Sequence, residues 1–374
     1  MREAAAGQLS LAVEETEEAN PTENTTPHRK DIHWWIRICM YIVFVLAGQV
    51  VGTLLGRQYF DKGGKSKWLA TLVQLAAFPI LIPFYFFSPT PLRNPTKTSN
   101  NIINTKPPPV TRLAAVYVSL GLLVAVECYL YSVGLQYLPV STYSLICASQ
   151  LAFNALFSYF LNSQKFTPLI VNSLVLLTLS STLLVWTGNS SSTGSKISRG
   201  KYIIGFLSTV GASAGFGLVL SLTQLSFQKV IKKQTFTAVM DMIIYQSTVA
   251  TAAILVGFFA SGEWKGLKGE MKGYELGGVS YVMTLVWTSV SWQIFAIGAV
   301  GLIFEVSSLF SNAISAMGLP VVPVLAVIFF HEKIDGIKVI ALILAIWGFV
   351  SYIYQHYLDD AQESENQKEV ELKK

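Results

Sequence analysis

Apolar runs of roughly 20 residues, parted by short polar connectors, fill most of this chain, and their length restricts the fold more than any other feature. A helix rises about 1.5 Å per residue, so each run matches the roughly 30 Å hydrocarbon core of a bilayer. Backbone groups in lipid must be satisfied within the protein, and runs this long achieve that as helices. Ten such runs are predicted, at 34–56, 67–87, 113–136, 139–161, 166–187, 202–227, 236–260, 281–303, 305–330 and 335–357. The junction near 304–305 has almost no loop, so one long broken helix is the alternative to two spans there. Charge supports the same reading. Only 13% of residues are charged, about half the share of an average soluble domain, which leaves too little to coat a water-facing surface. The expected fold class is an all-α polytopic membrane protein with about ten transmembrane helices.

Residues 1–33 are polar, carry Glu3, Glu14, Glu15, Glu17, Glu18 and Glu23, and contain no apolar core suited to a cleaved signal peptide. They and residues 358–374 read as disordered cytoplasmic tails. Sliding the chain along itself until Ala148 lies on Ala316 also sets Lys165 on Lys333, Val171 on Val339 and Leu174 on Leu342. The same offset brings the short break at 162–165 onto 330–333. This divides the chain into a first five-helix repeat at 34–187, a connector at 188–201 and a second repeat at 202–357. An odd number of spans per unit makes the second enter the membrane from the opposite side, the inverted-repeat plan of many secondary transporters. With both termini cytoplasmic, the larger share of Lys and Arg lies on inner segments. The sequon at Asn189 then faces outward, as a glycosylation acceptor or a chance match. The net charge of +5 is scattered over connectors and does not point to nucleic acid. Cys39, Cys128 and Cys147 lie in apolar runs and read as small packing residues. No metal-ligand spacing, P-loop or HExxH motif is present, so neither a cofactor nor ATP-driven or zinc chemistry is expected.

Polar side chains inside the runs carry the functional signal, because ionisable groups are costly in hydrocarbon. Glu127 lies about ten residues from the connector near 137, or roughly 15 Å deep at the helical rise. It is either a proton carrier or a neutral acid hydrogen-bonded to a neighbouring helix. In the fourth run Tyr143, Cys147, Gln150, Asn154 and Ser158 recur at three- and four-residue spacing on one face. Its two carboxamides suit the edge of a neutral heterocycle, or else bond one helix to another. Trp292 and Gln293 put an aromatic plane beside a third carboxamide. Glu305, Ser308, Asn312 and Ser315 share a face in the ninth run. Asp241 reads as an anionic residue near a helix N-terminus, and Lys229, Lys232 and Lys233 as an inner-face cluster. Gly48, Gly52, Gly56, Gly211 and Gly215 permit close helix approach. Pro79, Pro83, Pro320 and Pro323 break or kink their runs.

Three long stretches add to this. They are Gly134-Leu135-Gln136-Tyr137-Leu138-Pro139-Val140-Ser141-Thr142-Tyr143 with Glu127 upstream, Ser149-Gln150-Leu151-Ala152-Phe153-Asn154-Ala155 running on to Lys165, and Arg57-Gln58-Tyr59-Phe60-Asp61-Lys62-Gly63-Gly64 before Trp68. With Met240-Asp241-Met242, Tyr245-Gln246-Ser247 and Phe330-His331-Glu332-Lys333, the chain resembles the plant purine permease family of the drug/metabolite transporter superfamily. The resemblance implies two inverted five-helix repeats and proton-coupled import of purine bases and related heterocycles. Adenine, cytokinins, purine nucleosides and alkaloids are the substrates it suggests; the plasma membrane is the expected location, with no sorting motif to mark it. It also implies a central cavity lined by the first, third and fourth helices of each repeat. That makes Glu127 the proton-coupling candidate, and Gln49, Gln150, Asn154, Gln224, Trp292 and Asn312 substrate-binding candidates, joined by Tyr131 and Gln293. The expected partners are a small heterocycle, protons and the bilayer. Another solute such as a nucleotide sugar would require buried Lys or Arg, which the mid-span positions lack. A receptor that binds without transport is the alternative from a different class.

Overall fold

The computed structural model describes residues 32–83, 109–163, 199–231, 236–319 and 321–331, with isolated positions between 168 and 179 and between 336 and 354. The described residues up to Arg37 fall in one unit and those from Ile38 onward in another; the site described below lies wholly in the second. The described residues contain helices and no strand. The helices are α1 (Ile32–Asp61), α2 (Lys67–Leu75), α3 (Val110–Tyr137), α4 (Val140–Cys147), α5 (Gln150–Asn162), α6 (Arg199–Ser226), α7 (Phe236–Ser261), α8 (Leu267–Lys272), α9 (Gly277–Glu305), α10 (Ser308–Gly318) and α11 (Val321–Phe330). Six stretches among the described residues are long and apolar enough to cross a bilayer: Trp34–Asp61, Val110–Tyr137, Val140–Asn162, Arg199–Ile231, Ala238–Ser261 and Gly277–Glu305. The chain is thus an integral, multi-pass helical membrane protein. Residues 1–31 of the first tail, the second tail, the Asn189 sequon, Lys165, Lys333 and Pro320 lie outside the described residues, and Ile32 and His33, expected in the tail, begin α1. In the expected fifth and tenth runs the positions described are helical, and Asn172 Nδ2 donates to Ser351 Oγ at 3.0 Å to tie them together.

Local chemistry sets the breaks between helices. Pro139 biases the residue before it away from the helical region, and Leu138 is extended (φ −109°, ψ 147°), ending α3. Arg57 Nη1 donates to the carbonyls of Leu135 at 3.1 Å and Leu138 at 2.6 Å, placing a cation at that helix C-terminus, while Asp61 holds the guanidinium at 2.8 Å. At the loopless junction after the eighth run, α9 stops at Glu305 and Ser307 is extended, its Oγ accepting from Phe310 N at 3.1 Å to cap α10. Two helices meet there, not one. The second run is a short α2, capped by Ser66 Oγ accepting from Leu69 N, followed by a 3₁₀ turn at Phe78–Ile80 that contains Pro79. The fourth run is broken at Ala148–Ser149, a turn that no proline or glycine announces. The ninth is broken after Gly318.

Helix α3 packs along α6 and α7, α5 lies against α6, and the broken helices pack reciprocally, α4 against α11 and α5 against α10. Several approaches admit no side chain at all. A Cβ on Gly48 of α1 would lie 2.6 Å from Ser291 O and 2.7 Å from Phe295 N of α9, and one on Gly217 of α6 would lie 2.6 Å from Asn154 N of α5.

At one end of the bundle the α1–α2 connector is tied to the α7–α9 connector. Glu270 accepts from Tyr59 and Tyr281 hydroxyls, and Glu263 from Ser66 Oγ. Tyr274 OH donates to Gln58 O at 3.4 Å, and Lys62 Nζ pairs with Glu275 at 3.0 Å.

Candidate functional site

A cavity of about 140 Å³ lies among α1, α2, α3, α4, α5, α6, α7 and α9. Helical periodicity builds its walls. Val124, Glu127, Cys128 and Tyr131 project from one face of α3, and Trp292, Phe295, Ala296, Ala299 and Ile303 from one face of α9. Tyr143 and Cys147 of α4 and Gln150 of α5 enter from either side of the Ala148–Ser149 turn. Helix α1 supplies Gln49 and Thr53, α6 Phe216 and Thr223, and α7 Ile243, Gln246 and Ser247. No lysine, arginine or histidine is among the lining residues.

One wall is a hydrogen-bonded chain across four helices. Tyr131 OH donates to Gln150 Oε1 at 3.3 Å, Gln150 Nε2 to Ser315 Oγ at 3.0 Å, and Ser315 Oγ to Gln49 Oε1 at 3.0 Å. Aromatic planes face it from the other half. Trp292 meets Phe295 edge-on with centroids 5.4 Å apart. The indole sits where Gly52 leaves room, since a Cβ there would lie 2.9 Å from Trp292 Nε1. Glu127, 5% exposed, is accommodated by Gly215, whose missing Cβ would come 3.1 Å from the Glu127 Cβ. Its Oε1 has only the Cys128 thiol near it, at 3.9 Å. Three buried side-chain atoms of the lining have no hydrogen-bond partner among the described residues: Glu127 Oε2, Gln246 Oε1 and Gln293 Nε2. Buried polar atoms are ordinarily paired, so these are the positions a bound molecule can satisfy.

Of the residues singled out from sequence, Gln49, Glu127, Tyr131, Gln150, Trp292 and Gln293 meet at this cavity. Asn154, Gln224 and Asn312 do not. Asn154 Oδ1 accepts from Ser221 Oγ at 2.8 Å and its Nδ2 donates to Ser308 O at 3.2 Å. Gln224 Oε1 accepts from Ser308 N at 3.0 Å. Asn312 Nδ2 donates to Gln150 O at 3.0 Å. These carboxamides bond α5, α6 and α10 to one another, the helix-to-helix use of the same chemistry. Asp241 and Glu305 are likewise absent from the lining. Gln74 went unmarked in the sequence, and Gln246 and Ser247 stood out only within a family motif, not as site candidates. Gln246 lies ten residues into α7, the same depth that marked Glu127, so the signal was present in a neutral residue. Gly211-Ala212-Ser213-Ala214-Gly215 spells the G-x-S-x-G pattern of a hydrolase nucleophile elbow, which needs a strand-to-helix turn. Here it lies within α6, and Ser213 Oγ donates to Thr209 O at 2.9 Å.

A multi-pass helical bundle around a cavity free of basic side chains, walled by aromatics and carboxamides, has the build of a small-molecule permease. A family described as purine nucleobase transmembrane transport matches residues 36–362. Among relatives from Arabidopsis thaliana, probable purine permease 10 is 56% identical over 96% of this chain and 93% of its own length. Purine permease 21 is 58% identical over 93% of this chain and 87% of its own, and probable purine permease 8 is 57% identical over 92% and 87%. The chain belongs to the purine permease family, a family of transporters and not of enzymes.

Proposed function

We propose that this chain is a proton-coupled secondary transporter that imports purine bases and related heterocycles, with adenine, cytokinins, purine nucleosides and alkaloids as the candidate substrates. The observation that carries the reading is a buried carboxyl, Glu127, with its Oε2 unpartnered among the described residues, in a cavity of carboxamides and aromatic planes without a cation. An apolar cavity of about 150 Å³ holds a benzene ring, so about 140 Å³ suits a small planar ring system. The heterocycle stacks on Trp292 or Tyr131 while Gln150, held by Tyr131 and Ser315, bonds its edge. Protonation of Glu127 from the outer side links the proton gradient to closure.

A ten-helix architecture of two inverted five-helix repeats, 34–187 and 202–357, is part of this proposal. The offset that sets Ala148 on Ala316 supports it, because the helix boundaries obey it too. Helix α3 ends at Tyr137 and α9 at Glu305, α4 begins at Val140 and α10 at Ser308, and α5 ends at Asn162 and α11 at Phe330. The two non-glycine residues of positive φ among the described residues, Ser163 (55°) and His331 (51°), are related by the same shift. Reciprocal packing of α4 on α11 and α5 on α10 is what a two-fold relation requires. Both termini are placed in the cytoplasm of a plasma-membrane protein. Over ten alternating spans the inner segments hold 14 Lys and Arg against 12 outside, a narrow margin that accessibility labelling of the two tails would decide.

The test is uptake of labelled adenine by yeast deficient in purine uptake, at pH 5 and pH 8 and with a protonophore. Accumulation that is stronger in acid and abolished by the protonophore supports the proposal. Glu127→Gln is expected to remove the pH dependence while exchange persists; unchanged accumulation by that variant overturns the role of Glu127. Absence of uptake at confirmed surface expression overturns purine import.

A further inference from the structure

We infer that Gln246 of α7 and Gln293 of α9 form the specificity-determining pair of the cavity, selecting heterocycles that present a hydrogen-bond donor and an acceptor. The inference rests on the transport reading above and assigns its selectivity to two residues outside the Tyr131–Gln150 wall. Both line the same cavity, and each keeps one buried polar atom free, Gln246 Oε1 and Gln293 Nε2. The other carboxamides there are engaged by the protein. Gln150 accepts from Tyr131 and donates to Ser315, Gln49 accepts from Ser315, and Gln74 Nε2 donates to Ser132 Oγ at 3.0 Å. Bonds already made hold Gln150 in place as a platform. Atoms without a protein partner are those for which a ligand with the matching group gains most, because a ligand without it leaves them buried and unpaired.

Between them the two residues offer one acceptor and one donor, with no net charge. The complement is a ring edge carrying an N–H donor and an unprotonated ring nitrogen, as a 6-aminopurine does: its exocyclic N–H serves Gln246 Oε1 and a ring nitrogen accepts from Gln293 Nε2. A 6-methyl group has nearly the same size as the amino group but cannot donate. Gln293 is 5% exposed, so water is a poor substitute partner at that position.

Adenine and 6-methylpurine form the test pair, each titrated against the purified full chain in detergent by thermal stabilisation and in cells as competitors of labelled adenine uptake. Wild type is expected to prefer adenine by roughly tenfold or more, the scale of one buried hydrogen bond left unmade. Gln246→Leu is expected to bring that ratio to about twofold or below through loss of adenine affinity, with 6-methylpurine binding held within about threefold. That retained binding shows the variant is folded. Gln246→Asn, which restores a shorter carboxamide, is expected to recover part of the ratio, and is the variant read if the leucine protein does not reach the membrane. Gln293→Leu should weaken both ligands, since both keep the ring nitrogen, and leave their ratio near the wild-type value. An undiminished adenine preference in Gln246→Leu, or in Gln246→Asn where that is the variant read, overturns the inference while leaving purine transport standing. Wild type that binds neither ligand overturns the transport reading and this inference together.

Discussion

On the proposed repeat, Glu127, Tyr131, Gln150 and Gln293 of the cavity have no polar counterpart at the corresponding positions. Where the first half has Glu127 the second has Phe295, and Tyr131 and Gln150 correspond to Ala299 and Gly318. In the other direction, Trp292 and Gln293 correspond to Val124 and Ala125. The helix boundaries nonetheless keep the same spacing. On that proposed repeat, backbone plan is shared while polar function is divided, the hydrogen-bonded chain through Tyr131 and Gln150 on one side and an indole beside an open carboxamide on the other. Glu127 is the one carboxyl among the described lining residues.

The largest test acts on the shared plan. Gly48→Val should cost well over the roughly 1–3 kcal/mol of ordinary overpacking, because its Cβ meets backbone of α9 at 2.6 Å; loss of folded protein in detergent gel filtration is the expected result. Gly211→Ala, whose nearest neighbour is Leu130 Cδ1 at 3.6 Å, should express as wild type. Equal behaviour of the two would contradict close packing of α1 on α9. The division of chemistry is tested next, by moving the acid: Glu127→Phe with Phe295→Glu should not restore acid-stimulated uptake, since Tyr131 and Gln150 stay on the first half. Recovery would mean that position on the wall does not matter.

A smaller effect separates cavity from seam. Asn154→Ala removes the bonds its carboxamide makes with Ser221 Oγ and the Ser308 carbonyl, while Ser221 keeps Ser158 Oγ at 3.0 Å, and should cost about 1–3 kcal/mol, read as a lower apparent Tm with the adenine to 6-methylpurine ratio intact. Glu270→Ala should lower Tm by a similar or lesser amount, because Tyr59 keeps a hydrogen bond to Ser66 O at 3.3 Å. Lys62→Gln is expected to change nothing measurable, as befits an exposed pair. The Glu275 carboxylate, first by hydrogen bond and then by charge, holds the Lys62 pKa above the usual lysine range. A folded pKa raised above its unfolded value gives stability that is complete below the unfolded value and lost as pH rises through the folded one. That window starts above about 10.4, so Tm of wild type and variant should run parallel from pH 5 to 9.

Much of the helical pattern was legible because bilayer thickness makes apolar run length a signal of helices. The left-handed residues Ser163 and His331 were not legible, since neither is glycine and helix ends of this kind usually advertise one. The break at Ala148–Ser149 was hidden for the same reason. In the site, polarity within an apolar run reported burial but not the partner. Gln150 and Asn154 share a face one turn apart, yet Gln150 borders the cavity and Asn154 faces Gly217 across a glycine contact that only the tertiary fold creates. Gln246 was hidden behind Asp241, whose charge makes it the louder signal in that helix.

The tie between connectors has a consequence for tempo. Glu270 holds hydroxyls from α1 and α9 together, and any motion that parts those helices at this end must release both. Each 1.4 kcal/mol in such a release slows it about tenfold. A carrier whose turnover waits on this release would have its cycle time set by a carboxylate outside the cavity. Substrates of very different affinity would then be carried at one common maximal rate.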